Sequence, residues 1–185
     1  MMSEANVLRQ LIANNKLIPF IGAGFSENAG LPSTQALTRQ LLEHFEPDLD
    51  GQLHSAANLL YLTEYLKIIH GGSLTLVLDA LRSCLPDQDV ALSGSHQLLA
   101  QLGFSIIYTT NYDRLLERSF AEMGIPYKAI VTTADIIQST GCSEVQIVKF
   151  HGSLEVDDSL ILTESDYYKR LEFVTPNDIK LRADS

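Results

Sequence analysis

The sequence predicts an α/β fold: a parallel sheet flanked by helices, with a helical insertion between the first two sheet strands. Two observations carry that prediction. Short apolar runs at residues 17–21, 104–108 and 145–150 stop abruptly in glycine or polar residues, as buried strands do. After Gly103 such runs alternate with helical patterns, the order of a parallel sheet with crossovers. The stretch from about 55 to 102, in contrast, is helical throughout and falls between the first two runs.

Taken in order, residues 3–15 form an amphipathic helix with Val7, Leu8, Leu11 and Ile12 on one face. The strand at 17–21 follows, then a glycine turn. Ser33 caps a helix that runs to about Phe45 with Leu37, Leu41 and Leu42 inward. Three more helices follow: 55–70, closed by Gly71-Gly72; 73–85, closed by Pro86; and 95–102, closed by Gly103. The second strand is 104–108, and a helix over 111–123 ends at Gly124. A strand at 127–131, a short helix near 134–139 and a strand at 145–150 come next, with His151 at the end of the last. Residues 159–162 read as a further strand. Thr163 and Asp166 then have capping-box spacing for a helix through Leu171.

A length of 185 residues suits a single domain with a sizeable core. The formal net charge of −10 repels phosphate backbones, so direct nucleic-acid binding is not expected. Cys84 and Cys142 are the only cysteines and stand far apart, which excludes a cysteine zinc ribbon within the chain and leaves both as buried thiols. The first residues lack a basic region followed by an apolar one, and no apolar run approaches membrane-spanning length. The composition therefore reads as soluble and cytoplasmic, with no membrane partner.

In an open α/β sheet, ligands bind at the carboxyl ends of the strands. Three unusual stretches sit there. Gly22-Ala23-Gly24 follows the first strand; glycines let backbone approach a pyrophosphate, and Ser26 adds a hydroxyl donor. The spacing is not GxGxxG, since position 27 is Glu and the next glycine is Gly30, so a standard dehydrogenase fingerprint is not met and a plain tight turn is the alternative. Thr109-Thr110-Asn111-Tyr112-Asp113 follows the second strand. Asn111 and Asp113 could cap a helix, but one cap needs one such residue, and the surplus suggests a ligand-facing cluster. His151-Gly152 closes the strand at 145–150; the imidazole is either a satisfied structural group or a general base, and the glycine gives a substrate room. Together the three suggest a dinucleotide site with a reactive centre. His44, His54, His70 and His96 have no companion motif and read as structural.

GAGFS, GLPS, TTNYD, KFHGSL and LILTESDYY, in this order and spacing, resemble the sirtuin-like family, most of all its divergent zinc-free bacterial branch. The likeness covers about residues 17–171. It implies a Rossmann-like domain that takes NAD as substrate, without a metal, and breaks the nicotinamide–ribose bond. By that resemblance Gly22, Ala23, Gly24 and Ser26 hold the pyrophosphate. Phe25, Thr110 and Gly152 complete the NAD-binding set. Asn111 orients water and ribose, Asp113 supports the nicotinamide side, and His151 is the base. The departures are that Leu31-Pro32-Ser33-Thr34 stands where deacylases carry Phe-Arg, that no zinc ribbon can form, and that no later glycine-serine turn for the adenosine half follows. The last makes the chain read as the amino-terminal part of a longer protein or as a degenerate domain.

The resemblance thus implies an NAD hydrolase of bacterial anti-phage defence, working as a homo-oligomer or with a partner effector or sensor domain. The alternatives are an NAD-dependent deacylase or ADP-ribosyltransferase, and a nucleotide-binding or scaffold domain without turnover.

Overall fold

The computed structural model of the chain describes residues 4–14, 16–46, 58–139 and 143–173. Its centre is a four-stranded, fully parallel sheet: β1 (Phe20–Ile21), β2 (Ile106–Thr109), β3 (Tyr127–Ile130) and β4 (Val145–Lys149), in the spatial order β1-β2-β4-β3. The expected Rossmann-like arrangement is present, with helices flanking the sheet and a large helical insertion between β1 and β2.

Contacts divide the chain into two compact units, one of residues up to 33 with 85–159, the other of 34–84 with the residues from 160. The first unit holds the sheet. One sheet face is covered by α1 (Glu4–Ala13), α6 (Gly94–Gln101) and α7 (Leu115–Glu122), because the apolar stripe of each meets the inward residues of the strands. Ile12, Leu99, Ala100, Phe104, Ile107, Leu116, Phe120 and Ile147 form that core. The short helices α2 (Ala23–Glu27) and α8 (Thr133–Gln138) follow β1 and β3. The start of α8 is held by a reciprocal cap between Thr132 and Asp135.

The second unit is helical: α3 (Thr34–Phe45), α4 (Leu59–Ile69), α5 (Thr75–Cys84) and α9 (Glu164–Phe173). Leu37, Leu41, Leu62, Leu66, Val77 and Leu81 are buried there at helical spacing. The predicted capping box at the start of α9 is formed, with Asp166 N donating to Thr163 Oγ1 at 3.1 Å and Thr163 N to Asp166 Oδ2 at 3.2 Å. Glu64 on α4 accepts from the backbone and hydroxyl of Ser165, both at 3.0 Å.

Several elements differ from expectation, among them β1, which is Phe20–Ile21 rather than 17–21, and β2, which is Ile106–Thr109 rather than 104–108. Residues 159–162 are not a strand: a 3₁₀ turn, Asp157–Ser159, leads into an irregular segment. Leu160, Ile161 and Leu162 are all buried, and the Leu162 carbonyl accepts from the Thr63 hydroxyl rather than from a neighbouring strand. Helix α7 begins at Leu115 instead of 111, because the polar run before it is committed elsewhere. The helix expected over 55–70 is α4 from Leu59, capped by the Asn58 side chain accepting from Tyr61 N at 2.9 Å; its expected start at 55 lies outside the described residues.

Among the described residues no helix is long and apolar enough to cross a membrane.

Candidate active site

β1, β2 and β4 are neighbours and run the same way, so Gly22, Asn111 and His151 all stand just beyond the carboxyl ends of adjacent parallel strands. This is the edge where such sheets bind ligands.

At its centre is one continuous chain of hydrogen bonds. The Asn111 side-chain amide donates to the Gly22 carbonyl at 3.1 Å and to Ser26 Oγ at 2.9 Å. The Ser26 hydroxyl donates in turn to Asp113 Oδ2 at 2.8 Å, and Asp113 Oδ1 accepts from Leu115 N at 3.0 Å. All three side chains are buried. The Asn111 orientation is forced, since a carbonyl can only accept and Nδ2 must therefore face Gly22. Among the described residues Asn111 Oδ1 then has no partner, although it is buried. A buried acceptor without a donor costs about 1–3 kcal/mol, so an orphan of this kind calls for an explanation.

These bonds refine the roles expected from sequence. Asp113 does serve the start of α7, as the capping alternative held, whereas Asn111 does not. The Ser26 hydroxyl donates its proton to Asp113 and orients its neighbours. Thr109 Oγ1 accepts from Asn111 N at 3.0 Å, and Thr110 N donates to Ile21 O at 3.1 Å, extending the β1–β2 pairing by one bond. Phe25 packs on the core and edge-on to His96, with ring centroids 4.6 Å apart.

The glycines fall into two kinds. Gly22 is exposed, with φ −116° and ψ −179°, an extended conformation open to any residue, and a Cβ on it would come no closer than 3.9 Å to Thr110 Oγ1. Gly24 is also exposed and similarly uncrowded. The fold does not require glycine at either place. Gly152 is different: its φ is +81°, and a Cβ would lie 2.5 Å from the Ser159 carbonyl carbon. The turn it makes requires glycine there. His151, half-buried beside it, has its ring centroid 6.2 Å from that of Tyr112.

Sequence reasoning missed the groups beneath this edge. Lys149 is buried on the core face of β4 and pairs with Glu117 at 2.8 Å. Burial pushes the Glu117 carboxyl up, against the pull of the Lys149 charge. His96 is fully buried, with Nδ1 2.7 Å from Ser93 Oγ and Nε2 without a partner among the described residues. Burial lowers its pKa, the Asp113 charge works against that, and Arg118 works with it. Arg114 braces the same loop, bonding Asp87 through its backbone N at 2.7 Å and its guanidinium, and pairing with Glu155. Among the described residues no three His, Cys, Asp or Glu side chains are grouped so as to hold a metal ion.

Residues 105–184 match the model of the SIR2-like domain. The matched span includes Asn111, Asp113 and His151. NAD(+) hydrolase ThsA of Cytobacillus dafuensis is 26% identical over 162 residues, covering 86% of this chain and 31% of that protein. The protein of the same name in Acinetobacter baumannii (strain 532279) is 28% identical over 163 residues, 87% of this chain and 32% of its own length. That of Bacillus cereus (strain MSX-D12) is 26% identical over 165 residues, 87% and 33%. The chain spans about a third of the length of the curated relatives it matches.

Proposed function

We propose that this chain is a SIR2-like domain that binds NAD at the carboxyl edge of β1, β2 and β4 and, within its full-length protein, hydrolyses the nicotinamide–ribose bond. The observation that carries the reading is the Asn111 amide, whose NH2 is fixed by Gly22 and Ser26 while its oxygen is left buried without a donor. That the similar proteins are named NAD(+) hydrolases supports it.

Loss of nicotinamide leaves an oxocarbenium-like ribose, and nicotinamide departs as a neutral base from a cationic pyridinium, so no strong acid is required. The site has to hold the ribose, favour developing positive charge and admit one water in the right place. In this reading Asn111 Oδ1 accepts from the ribose or the attacking water, and His151 takes the proton. Gly22, Ala23 and Gly24 offer backbone to the pyrophosphate, with Phe25, Thr110 and Gly152 shaping the surround. Asp113 and Ser26 keep Asn111 in register. NAD serves as substrate and no metal takes part. We extend the reading to a cytoplasmic protein of bacterial anti-phage defence, acting as a homo-oligomer or through a partner effector or sensor domain, as the family resemblance implies.

The test is nicotinamide release by the full-length protein. Asn111→Ala and His151→Ala are each expected to lower turnover by roughly 10²–10⁴-fold, the usual range for positioning and general-base groups. Since Asn111 is buried and makes two internal bonds, its removal also costs about 1–3 kcal/mol of stability. Turnover at the wild-type rate in both variants refutes the assignment. Release of nicotinamide only with an acyl-lysine or an ADP-ribose acceptor present would make the enzyme a transferase instead.

A further inference from the structure

We propose that Lys149 is a positioning residue of this site, holding the loop that carries Asn111 in place from beneath. The proposal begins with a position that should be apolar. In β4, Ile147 and Lys149 point into the core face, and the Lys149 side chain is 0% exposed. Placing an ion pair there is costly, and an apolar pair of similar volume is often as stable or more so. Lys149 and Glu117 therefore need a reason beyond filling the core.

The bonds of the ammonium supply it. Nζ donates to the Asp113 carbonyl at 2.6 Å, to Glu117 Oε1 at 2.8 Å and to the Tyr112 carbonyl at 3.4 Å. An ammonium has three donors, and all three are engaged. Two of them go to backbone carbonyls of the segment between β2 and α7. An apolar side chain at 149 would leave those carbonyls without this donor, and the planar guanidinium of arginine has the wrong shape for three acceptors around one nitrogen. Glu117, in the first turn of α7, balances the charge and ties the start of that helix to the same nitrogen.

The loop fixed in this way places the Asn111 amide against Gly22 and Ser26, and Asp113 against Ser26. Two residues past Lys149, just beyond the end of the same strand, stands His151. Lys149 thus joins the segment bearing the proposed base to the segment bearing the proposed amide. It touches no reacting atom; its effect passes through the 111–113 backbone.

The kinetic part of the test rests on the NAD-hydrolysis reading, and the spectroscopic part does not. In the full-length protein, Lys149→Met is compared with the double variant Lys149→Met, Glu117→Leu, which restores an apolar pair. Three quantities are read: thermal midpoint, kcat and KM for nicotinamide release, and the side-chain amide resonance of Asn111 in selectively labelled protein. The single variant is expected to lose stability. The double variant is expected to recover most of it, yet to keep kcat lowered by at least about tenfold with KM changed by less than about threefold, since misplacement of a group by about 1 Å is enough for such a loss. Its Asn111 resonance is expected to stay displaced from wild type. A double variant that is stable with wild-type kcat, or whose Asn111 resonance coincides with wild type, overturns the proposal. Should the wild type release no nicotinamide, the function fails, while the Asn111 resonance still decides the positioning role.

Discussion

Substituting alanine at Gly152, and separately at Gly22 and Gly24, distinguishes a glycine the fold requires from glycines it does not. At Gly152 two costs combine. A left-handed conformation costs a residue with a Cβ about 1–2 kcal/mol. The new methyl would also lie 2.5 Å from the Ser159 carbonyl carbon and 2.6 Å from Ser159 Oγ, and the nearest atoms are backbone, so the turn itself has to move. Overpacking of that kind adds about 1–3 kcal/mol. The expected loss for Gly152→Ala is therefore about 2–5 kcal/mol, measured by urea denaturation. Gly22→Ala is expected to change stability by no more than about 0.5 kcal/mol, because neither its dihedrals nor its surroundings resist a Cβ. Gly24→Ala, inside α2, is expected to be neutral or slightly stabilising. Both should nevertheless weaken NAD binding to the full-length protein at least tenfold by calorimetry, if their openness serves backbone approach to the ligand. A stable Gly152→Ala protein would refute the steric reasoning. Stable Gly22→Ala and Gly24→Ala proteins that bind NAD like wild type would remove the glycines from the site.

His96 and Ser26 give two further expectations. The pKa of His96 is lowered in the folded state, mainly by burial, so the unfolded chain takes up its proton first as pH falls. Stability from this group is complete above about pH 6.5, the ordinary histidine value, and declines below it by at most about 1.4 kcal/mol per pH unit. The thermal midpoint should accordingly fall less between pH 7 and pH 5 in His96→Gln than in wild type, and identical slopes would contradict the assignment. Ser26→Ala removes an acceptor from Asn111 and a donor from Asp113, so denaturation should show a loss of about 1–3 kcal/mol, with reduced nicotinamide release; an unchanged protein would show that the relay has no energetic weight.

What the sequence made legible follows from local chemistry. The ends of β1, β2 and β4 could be read because each apolar run stops at residues that cannot continue it, and the order of strands and helices then required a parallel sheet. The capping box at Thr163 and Asp166 was readable because both partners lie within one turn. The segment 159–162 misled because three consecutive apolar residues look alike whether a strand or an irregular core segment buries them; here the Leu162 carbonyl is satisfied by a threonine hydroxyl. The start of α7 was placed too early because Asn and Asp are at home both in caps and in sites, and only the partner tells which. Asn111 bonds Gly22 and Ser26, residues 89 and 85 positions away. The depth of Lys149 was hidden for a similar reason, since its partners Tyr112, Asp113 and Glu117 lie 32 to 37 positions away.

The hydrogen bond between Ser26 and Asp113 spans 87 positions, and the helical insertion lies within that span. The two halves of the site are thus the ends of one long loop. Loop-closure entropy grows only with the logarithm of length, so doubling such a loop adds only about 0.6 kcal/mol. In chain-entropy terms the intervening helices can lengthen, shrink or be exchanged with little effect on whether the halves meet. The sensitive element is β1, two residues long, which anchors Gly22 and Ser26 to the sheet through Tyr108 N to Pro19 O at 3.0 Å and Thr110 N to Ile21 O at 3.1 Å. Variation is therefore cheap in the largest part of the span and costly in its smallest, which makes the insertion the natural place for this architecture to diversify and β1 the place where it cannot.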